Sequence, residues 1–311
     1  MKVGILGTGF GSYHAKIFSK MNEIDLIKVF GRKEETLKHL SEQLGVFTTN
    51  NMEDIFKDPE IDLIDICLPT SLHTEAIQKA FKAGKHVLCE TPLCYSPEEL
   101  NIILEAKQTY GKYLFVDQSI KFDTEYRFLY NAMKEGTYGK LKALTIERKT
   151  PPIWGSLGVR DIITNLMIHD LDCVEWLFGL PISKSINTIS SNANECHVRA
   201  NLSYEDAMVD LIATSMMAKT YPFTVNYEAL FEHASLEFHG TFTAEGDKKT
   251  LMEYTSHHKR EIQLEDCDPY DAVIHHVVDC CLHGKDSILD AVNAGDSLSI
   301  AFGLNECIKF I

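Results

Sequence analysis

Several protein classes are excluded by what this chain lacks. Its 311 residues contain no cluster of Lys and Arg, and the formal net charge is -15. A phosphate backbone is held by grouped cations, so no nucleic-acid partner is expected. No apolar run approaches the ~20 residues of a membrane span, and Val3-Gly4-Ile5-Leu6 is too short for a secretory leader. No membrane partner is expected, and the expected location is cytoplasmic. The nine cysteines form no Cys-x-x-Cys pair, and their odd number argues against a disulfide framework. They read as reduced packing residues. Low-complexity tracts and solenoid periods are also missing, so the chain is an ordinary globular one.

What is present is an alternation of short apolar runs with helical stretches. Lys2 to Leu6 is apolar, glycines follow at once, and Tyr13 to Met21 then has helical character. The same pattern returns as Ile24 to Phe30 before Glu34 to Leu44, and as Ile61 to Leu68 before a helix through His73 to Ala83. His86 to Glu90, a helix from Pro97 to Tyr110 and Tyr113 to Asp117 complete it. Such alternation implies a doubly wound parallel sheet. Beyond about Lys121 the period changes to two. Val225, Tyr227, Ala229 and Phe231 alternate with polar neighbours, and Leu236 to Phe238 and Thr241 to Thr243 follow, with Gly240 and Gly246-Asp247 read as turns. The expected fold class is α/β, a Rossmann domain over 1-120 followed by an α+β domain over 121-311 with a large, mostly antiparallel sheet. Helices around Ile162 to Phe178, Tyr270 to His283 and Ala291 to Ile308 should cover one sheet face. The other is left to pair subunits into a homo-dimer or homo-tetramer.

The loop Gly7-Thr8-Gly9-Phe10-Gly11-Ser12 lies between the first strand and the first helix. Gly7 permits the tight turn, Gly9 lets a pyrophosphate approach the backbone, and the helix N-terminus offers N–H groups and a partial positive charge. Ser12 occupies the third fingerprint position in this reading. The chain should therefore bind a nicotinamide dinucleotide. At the end of the second strand, where NAD-specific proteins place a carboxylate, stand Arg32 and Lys33. Their charge suits the 2′-phosphate of NADP, with NAD as the other possibility.

Leu68-Pro69-Thr70-Ser71-Leu72-His73, followed by Ala83-Gly84-Lys85-His86-Val87-Leu88-Cys89-Glu90-Thr91-Pro92, resembles the Gfo/Idh/MocA family of NAD(P)-dependent oxidoreductases. The resemblance continues at Gly139-Lys140-Leu141 and at His169-Asp170-Leu171-Asp172. It implies that Leu68, Pro69, Thr70 and His73 lie along the cofactor, and that Glu90 and Thr91 close a signature whose middle residue is usually a lysine. Thr91 stands in the place of that lysine, to which proton transfer and substrate binding are credited. Its hydroxyl binds substrate by hydrogen bonds and is no acid or base near neutral pH. Asn165, four residues before His169, stands where relatives carry Asp, and a single helix would put both on one face toward substrate.

The proton work then falls to His169, at the family's second-domain catalytic position, with Asp170 and Asp172 orienting its ring or raising its pKa. Asp172 is also a substrate-binding candidate. Lys121 stands where relatives place a substrate-facing arginine, and Tyr95 is a further proton donor. No metal site is expected. His275, His276, Asp279, Cys280 and His283 flank the apolar stripe Val273, Ile274, Val277 and Val278, and His257-His258-Lys259-Arg260 reads as a solvated hairpin. The function implied is NADP(H)-dependent hydride transfer at a hydroxyl or carbonyl of a sugar-like or other small polar molecule. Imine reduction on the same scaffold and redox-inactive NADP binding with a regulatory role are the alternatives.

Overall fold

The computed structural model describes residues 1–152, 155 and 157–308. The chain divides into two compact units, Met1–Ser119 with Asp268–Gly295, and Ile120–Cys267 with Asp296–Ile311.

In the first unit, β1 (Lys2–Leu6), α1 (Gly11–Phe18), β2 (Leu26–Phe30), α2 (Glu34–Leu44), β3 (Phe47–Thr49), α3 (Glu53–Phe56), β4 (Leu63–Ile66), α4 (His73–Lys82), β5 (His86–Cys89), α5 (Pro97–Tyr110) and β6 (Leu114–Val116) follow in order. All strands pair in parallel, in the order β3-β2-β1-β4-β5-β6. Val3, Ile5, Leu63, Ile64, Ile66, Val87 and Leu88 are fully buried, as a sheet covered on both faces requires. Helix ends are set by local chemistry. Ser96 caps α5 by accepting from the Glu99 N–H, Pro97 occupies its first turn, and Gly111 closes it in the left-handed region.

The second unit opens with α6 (Thr124–Glu135) and β7 (Leu141–Lys149), then α7 (Val159–Asn165) and α8 (Ile168–Phe178). The strands β8 (Ser183–Asn192), β9 (Glu195–Ser203), β10 (Met208–Thr214), β11 (Phe223–Phe231), β12 (Ala234–Phe242), β13 (Lys248–Thr255) and β14 (Lys259–Ile262) follow. The eight strands run β14-β13-β12-β11-β7-β10-β9-β8, antiparallel throughout except for the β7–β10 pair. Leu144, Ile146, Val209, Leu211, Tyr227, Ala229, Leu236 and Phe238 form the buried face. Tyr227 donates to the Glu125 carbonyl at 3.0 Å, and Tyr130 of α6 stacks on Trp176 of α8 at 3.8 Å.

Two expectations are corrected. Gly240 is no turn; it sits inside β12, paired with Val225 and Lys249, where a β-carbon would meet the rings of Phe238 and Phe242. The domain expected over 121-311 is also not continuous. The helix α9 (Pro269–His283) and the first residues of α10 (Ala291–Glu306) return to the first unit. The reason lies in their anchors. Asp268 caps α9 and accepts a hydrogen bond from the Tyr13 hydroxyl, Tyr270 packs on Phe10, and the Val116 N–H donates to the Leu289 carbonyl at 2.9 Å. No helix among the described residues is long and apolar enough to cross a membrane.

Candidate functional site

The glycine loop divides its labour by position. Gly7 has φ 121°, and a β-carbon there would stand 2.3 Å from the Cys67 carbonyl oxygen, so neither the turn nor the strand contact tolerates a side chain. Gly11 provides the close helix packing, since its β-carbon would meet Ile5 at 2.9 Å and Cys67 at 3.2 Å. That corrects the role given to Ser12, whose hydroxyl instead donates to the Thr8 carbonyl at 2.7 Å. Nothing among the described residues lies within 4 Å of the β-carbon position of Gly9. Among the described residues, the backbone N–H groups of Gly9, Phe10 and Gly11 donate to no acceptor, and no side chain caps α1. An open glycine beside three free N–H groups at a helix start is the cradle a pyrophosphate needs.

Around this loop the other expected cofactor residues are distributed unevenly. Arg32 and Lys33, at the C-terminal end of β2, are exposed and have no ion-pair partner among the described residues. Leu68, Pro69 and Thr70 lead from β4 into a short 3₁₀ turn. His73 is buried at the start of α4 and is used by the loops themselves: its Nε2 lies 2.8 Å from the Leu68 carbonyl, its Nδ1 3.3 Å from that of Leu93. Burial lowers its pKa against the pull of these carbonyls, and the ring braces the two loops. Tyr95 is 48% exposed and its N–H donates to Glu99, which places it in the cap of α5. Thr91 is half-buried, and its N–H donates to its neighbour Glu90 at 3.2 Å.

Beneath the loop lies a group that the sequence reading did not assemble. His14 of α1, Asp65 and Cys67 of β4 and its end, Glu90 after β5 and Asp117 after β6 meet at the carboxyl ends of adjacent strands. His14, Asp65 and Asp117 are almost wholly buried. His14 Nδ1 is 2.9 Å from Asp65 Oδ2, while Nε2 faces Glu90 Oε1 at 3.6 Å and Asp117 Oδ2 at 3.5 Å. Burial alone would lower the pKa of His14, but Asp65 and Asp117 outweigh it and hold the imidazole up at about 11. Burial and the crowding of carboxylates push Glu90 and Asp117 upward, against the pull of His14. A polar residue inside the otherwise apolar Leu63-Ile64-Asp65-Ile66 strand was the available signal.

The second unit holds the remaining candidates. His169 lies in the first turn of α8, and burial together with the Arg148 guanidinium lowers its pKa to about 3. The carboxylates expected to raise it are engaged elsewhere. Asp170 takes three hydrogen bonds from Arg148, at 2.7 to 3.1 Å, and Asp172 acts on Lys121. Lys121 is buried, which lowers its pKa against the opposing attraction of Asp172 and Glu175. Asn165 ends α7 and His169 begins α8, so the expected single helical face does not exist; the chain breaks at Leu166, where ψ is -54° and φ -120°. Among the described residues, Asn165 Oδ1 is buried without a hydrogen-bond partner. His276 packs against Ser287 and Cys280, and His283 against Asp279.

Residues 1–118 match the model of a family described as oxidoreductases with an NAD-binding Rossmann fold, GFO_IDH_MocA. Myo-inositol 2-dehydrogenase of Thermotoga maritima is 28% identical over 184 residues, 58% of this chain and 55% of that protein. An NADP(+)-dependent scyllo-inositol 2-dehydrogenase of Bacillus subtilis is 25% identical over 203 residues, 62% of this chain and 56% of that protein. The matches thus span little more than half the length of these relatives. Across nearly the whole chain the fold is that of UDP-N-acetylglucosamine 3-dehydrogenase from Acidithiobacillus ferrooxidans, with TM-score 0.84, 21% identity, and 99% and 97% of the two chains covered.

Proposed function

We propose that this chain, whose residues 1–118 match the Gfo/Idh/MocA model of oxidoreductases with an NAD-binding Rossmann fold, transfers hydride, with NADP(H), to or from a hydroxyl or carbonyl carbon of a small polyol-like substrate. The observation that carries this reading is the open cradle at Gly9 with its free N–H groups. When bound there, the nicotinamide dinucleotide supplies the hydride chemistry. The chain's own residues do the rest. Gly9, Phe10 and Gly11 hold the pyrophosphate through backbone N–H groups, and exposed Arg32 and Lys33 hold the 2′-phosphate. Thr91 positions substrate through its hydroxyl.

His169 enters this reading as a neutral imidazole. With its pKa pushed down to about 3 it is neutral at neutral pH, hydrogen-bonds and orients a substrate hydroxyl, and has no charged-form proton to give. The same fact favours a second reading, reduction of an imine-type acceptor that arrives already protonated and asks for no acid. The two are separated by turnover with inositols and sugars against cyclic imines.

The cofactor assignment is tested by fluorescence titration with NADPH and NADH. NADPH should bind at least about tenfold more tightly, and Arg32→Ala should remove most of that preference, one charge-assisted contact contributing roughly 1.5–3 kcal/mol. Tighter binding of NADH would overturn it. For the reaction, His169→Ala should abolish turnover of the best substrate; unchanged turnover would remove His169 from the chemistry. We also assign self-association to the sheet face opposite the buried one, where Met208 and Leu230 are exposed, and sedimentation should find a dimer or tetramer.

A further inference from the structure

The group beneath the glycine loop has a property that hydrogen bonding within the protein leaves unexplained. Among the described residues, His14 Nε2, Glu90 Oε1 and both carboxylate oxygens of Asp117 are buried and have no hydrogen-bond partner. Unpaired buried polar atoms are costly, and four converging in one place are rare in folded proteins. Their separations are informative. Nε2 stands 3.6 Å from Glu90 Oε1 and 3.5 Å from Asp117 Oδ2, too far for good hydrogen bonds. Ligand atoms about 2.0–2.2 Å from a tetrahedral zinc-type ion lie about 3.3–3.6 Å from each other. Both edges that meet at Nε2 fall in that range.

Two further features fit the same occupant. His14 Nδ1 is held at 2.9 Å by Asp65 Oδ2, the carboxylate-behind-imidazole arrangement that fixes a metal-binding ring and leaves its other nitrogen for the ion. The Cys67 sulfur, His14 and Glu90 present donor atoms that all lie within 4.8 Å of one another, the sulfur standing 3.6 Å from His14 Nδ1 and donating to Asp65 Oδ1 at 3.5 Å, one side-chain rotation from the Nε2 side. Nitrogen, carboxylate oxygen and sulfur together suit a borderline ion, whereas magnesium or calcium would call for oxygen throughout. The Glu90 side chain is 18% exposed and Cys67 is half-buried, so the group is reachable from outside.

We propose that His14, Glu90, Asp117 and Cys67 bind one divalent transition-metal ion of the zinc type, with Asp65 as the positioning residue behind His14. Binding takes the Nε2 lone pair of the imidazole and draws the sulfur in as the fourth donor. The site requires no nucleotide and stands whether or not the oxidoreductase reading holds. If both hold, a Lewis-acidic charge at Glu90 sits next in sequence to Thr91, where the family resemblance expects a lysine cation.

The test is equilibrium dialysis of the full chain, stripped with a chelator, against Zn²⁺, with metal counted by mass spectrometry. One ion per chain should bind, and His14→Gln and Asp117→Asn should each weaken binding at least 10-fold. Asp65→Asn should weaken it roughly 10- to 100-fold, the usual loss for a positioning partner. No bound ion, or binding that survives His14→Gln because exposed histidines hold it, overturns the proposal. Should these variants fail to fold, the native protein decides with Co²⁺. One equivalent should give the intense visible absorption of a tetrahedral ion and a near-ultraviolet sulfur-to-metal band that Cys67→Ala removes. A weak six-coordinate spectrum, or a sulfur band unchanged in Cys67→Ala, overturns it. Neither assay contains nucleotide or substrate, so failure here leaves the proposed function untouched.

Discussion

Each unit of this chain buries a set of charges, and the two sets are built on opposite plans. In the second unit Arg148 meets Asp170 through three hydrogen bonds, so the guanidinium fork and the carboxylate answer each other. In the first unit His14 is hydrogen-bonded on its Asp65 side, while on its Nε2 side Glu90 and Asp117 stand at 3.6 and 3.5 Å as charge neighbours whose oxygens lack a good hydrogen bond. Burial costs both sets solvation. The paired set recovers it inside the protein. The unpaired set recovers it only if something else arrives, which is why one reads as scaffold and the other as a site.

The strongest way to break this comparison is to remove one partner from each set. Asp170→Asn leaves a buried guanidinium without its counter-charge, and the loss should be about 3–5 kcal/mol of unfolding free energy in urea. Asp117→Asn in metal-free protein removes a carboxylate crowded by others, and stability should stay within about 1 kcal/mol of the parent or rise. Equal losses would show that both sets are scaffold.

A smaller effect is expected at Gly7, which the fold has used completely. Gly7→Ala forces a side chain onto φ 121° and against the Cys67 carbonyl. We expect a loss of about 1–3 kcal/mol, the usual size of such backbone strain, and nucleotide binding should weaken with it.

Smaller again is the pH dependence contributed by His169. Its folded pKa, about 3, lies below the ordinary value of 6.5, so the unfolded chain takes up the proton first as pH falls. Its stability contribution is therefore complete above about pH 6.5 and is lost progressively on acidification toward pH 3. The ring is only half-buried, and after allowance for water the loss by pH 4 should be about 1 kcal/mol. His169→Asn should show a shallower acid limb in urea titrations, and parallel limbs would mean that the imidazole protonates freely in the fold.

Legibility from sequence followed the range of the forces involved. Glu34 to Leu44 and Pro97 to Tyr110 were readable to the residue because apolar spacing, Ser96, Pro97 and the glycines after each helix act within a few positions. The three-residue edge strand β3 and the one-turn α3 carry too little periodicity to register. Gly240 was misread because the reason for a glycine there is two phenylalanine rings beside it, an arrangement set by pairing across β11, β12 and β13. The return of α9 depends on Asp268 meeting Tyr13, 255 positions earlier. The glycine loop was legible because its parts are adjacent. The group around His14 was not, because positions 14, 65, 67, 90 and 117 meet only where parallel strands end side by side.

The smallest expected effect on stability separates use by the fold from use by a ligand. Gly9 stands two residues from Gly7 in the same loop, yet its β-carbon position is empty to 4 Å and its φ is outside the left-handed region. Alanine there touches none of the described residues and slightly restricts the unfolded chain, so Gly9→Ala should unfold within about 0.5 kcal/mol of the parent. Nothing in the fold requires the glycine. If a pyrophosphate must approach that backbone, the added methyl stands in its path, and the dissociation constant for NADPH should rise at least about tenfold while the urea midpoint stays where it was. Unchanged nucleotide affinity would show that the opening at Gly9 is merely a surface, and the cofactor would have to be sought elsewhere on the Rossmann sheet.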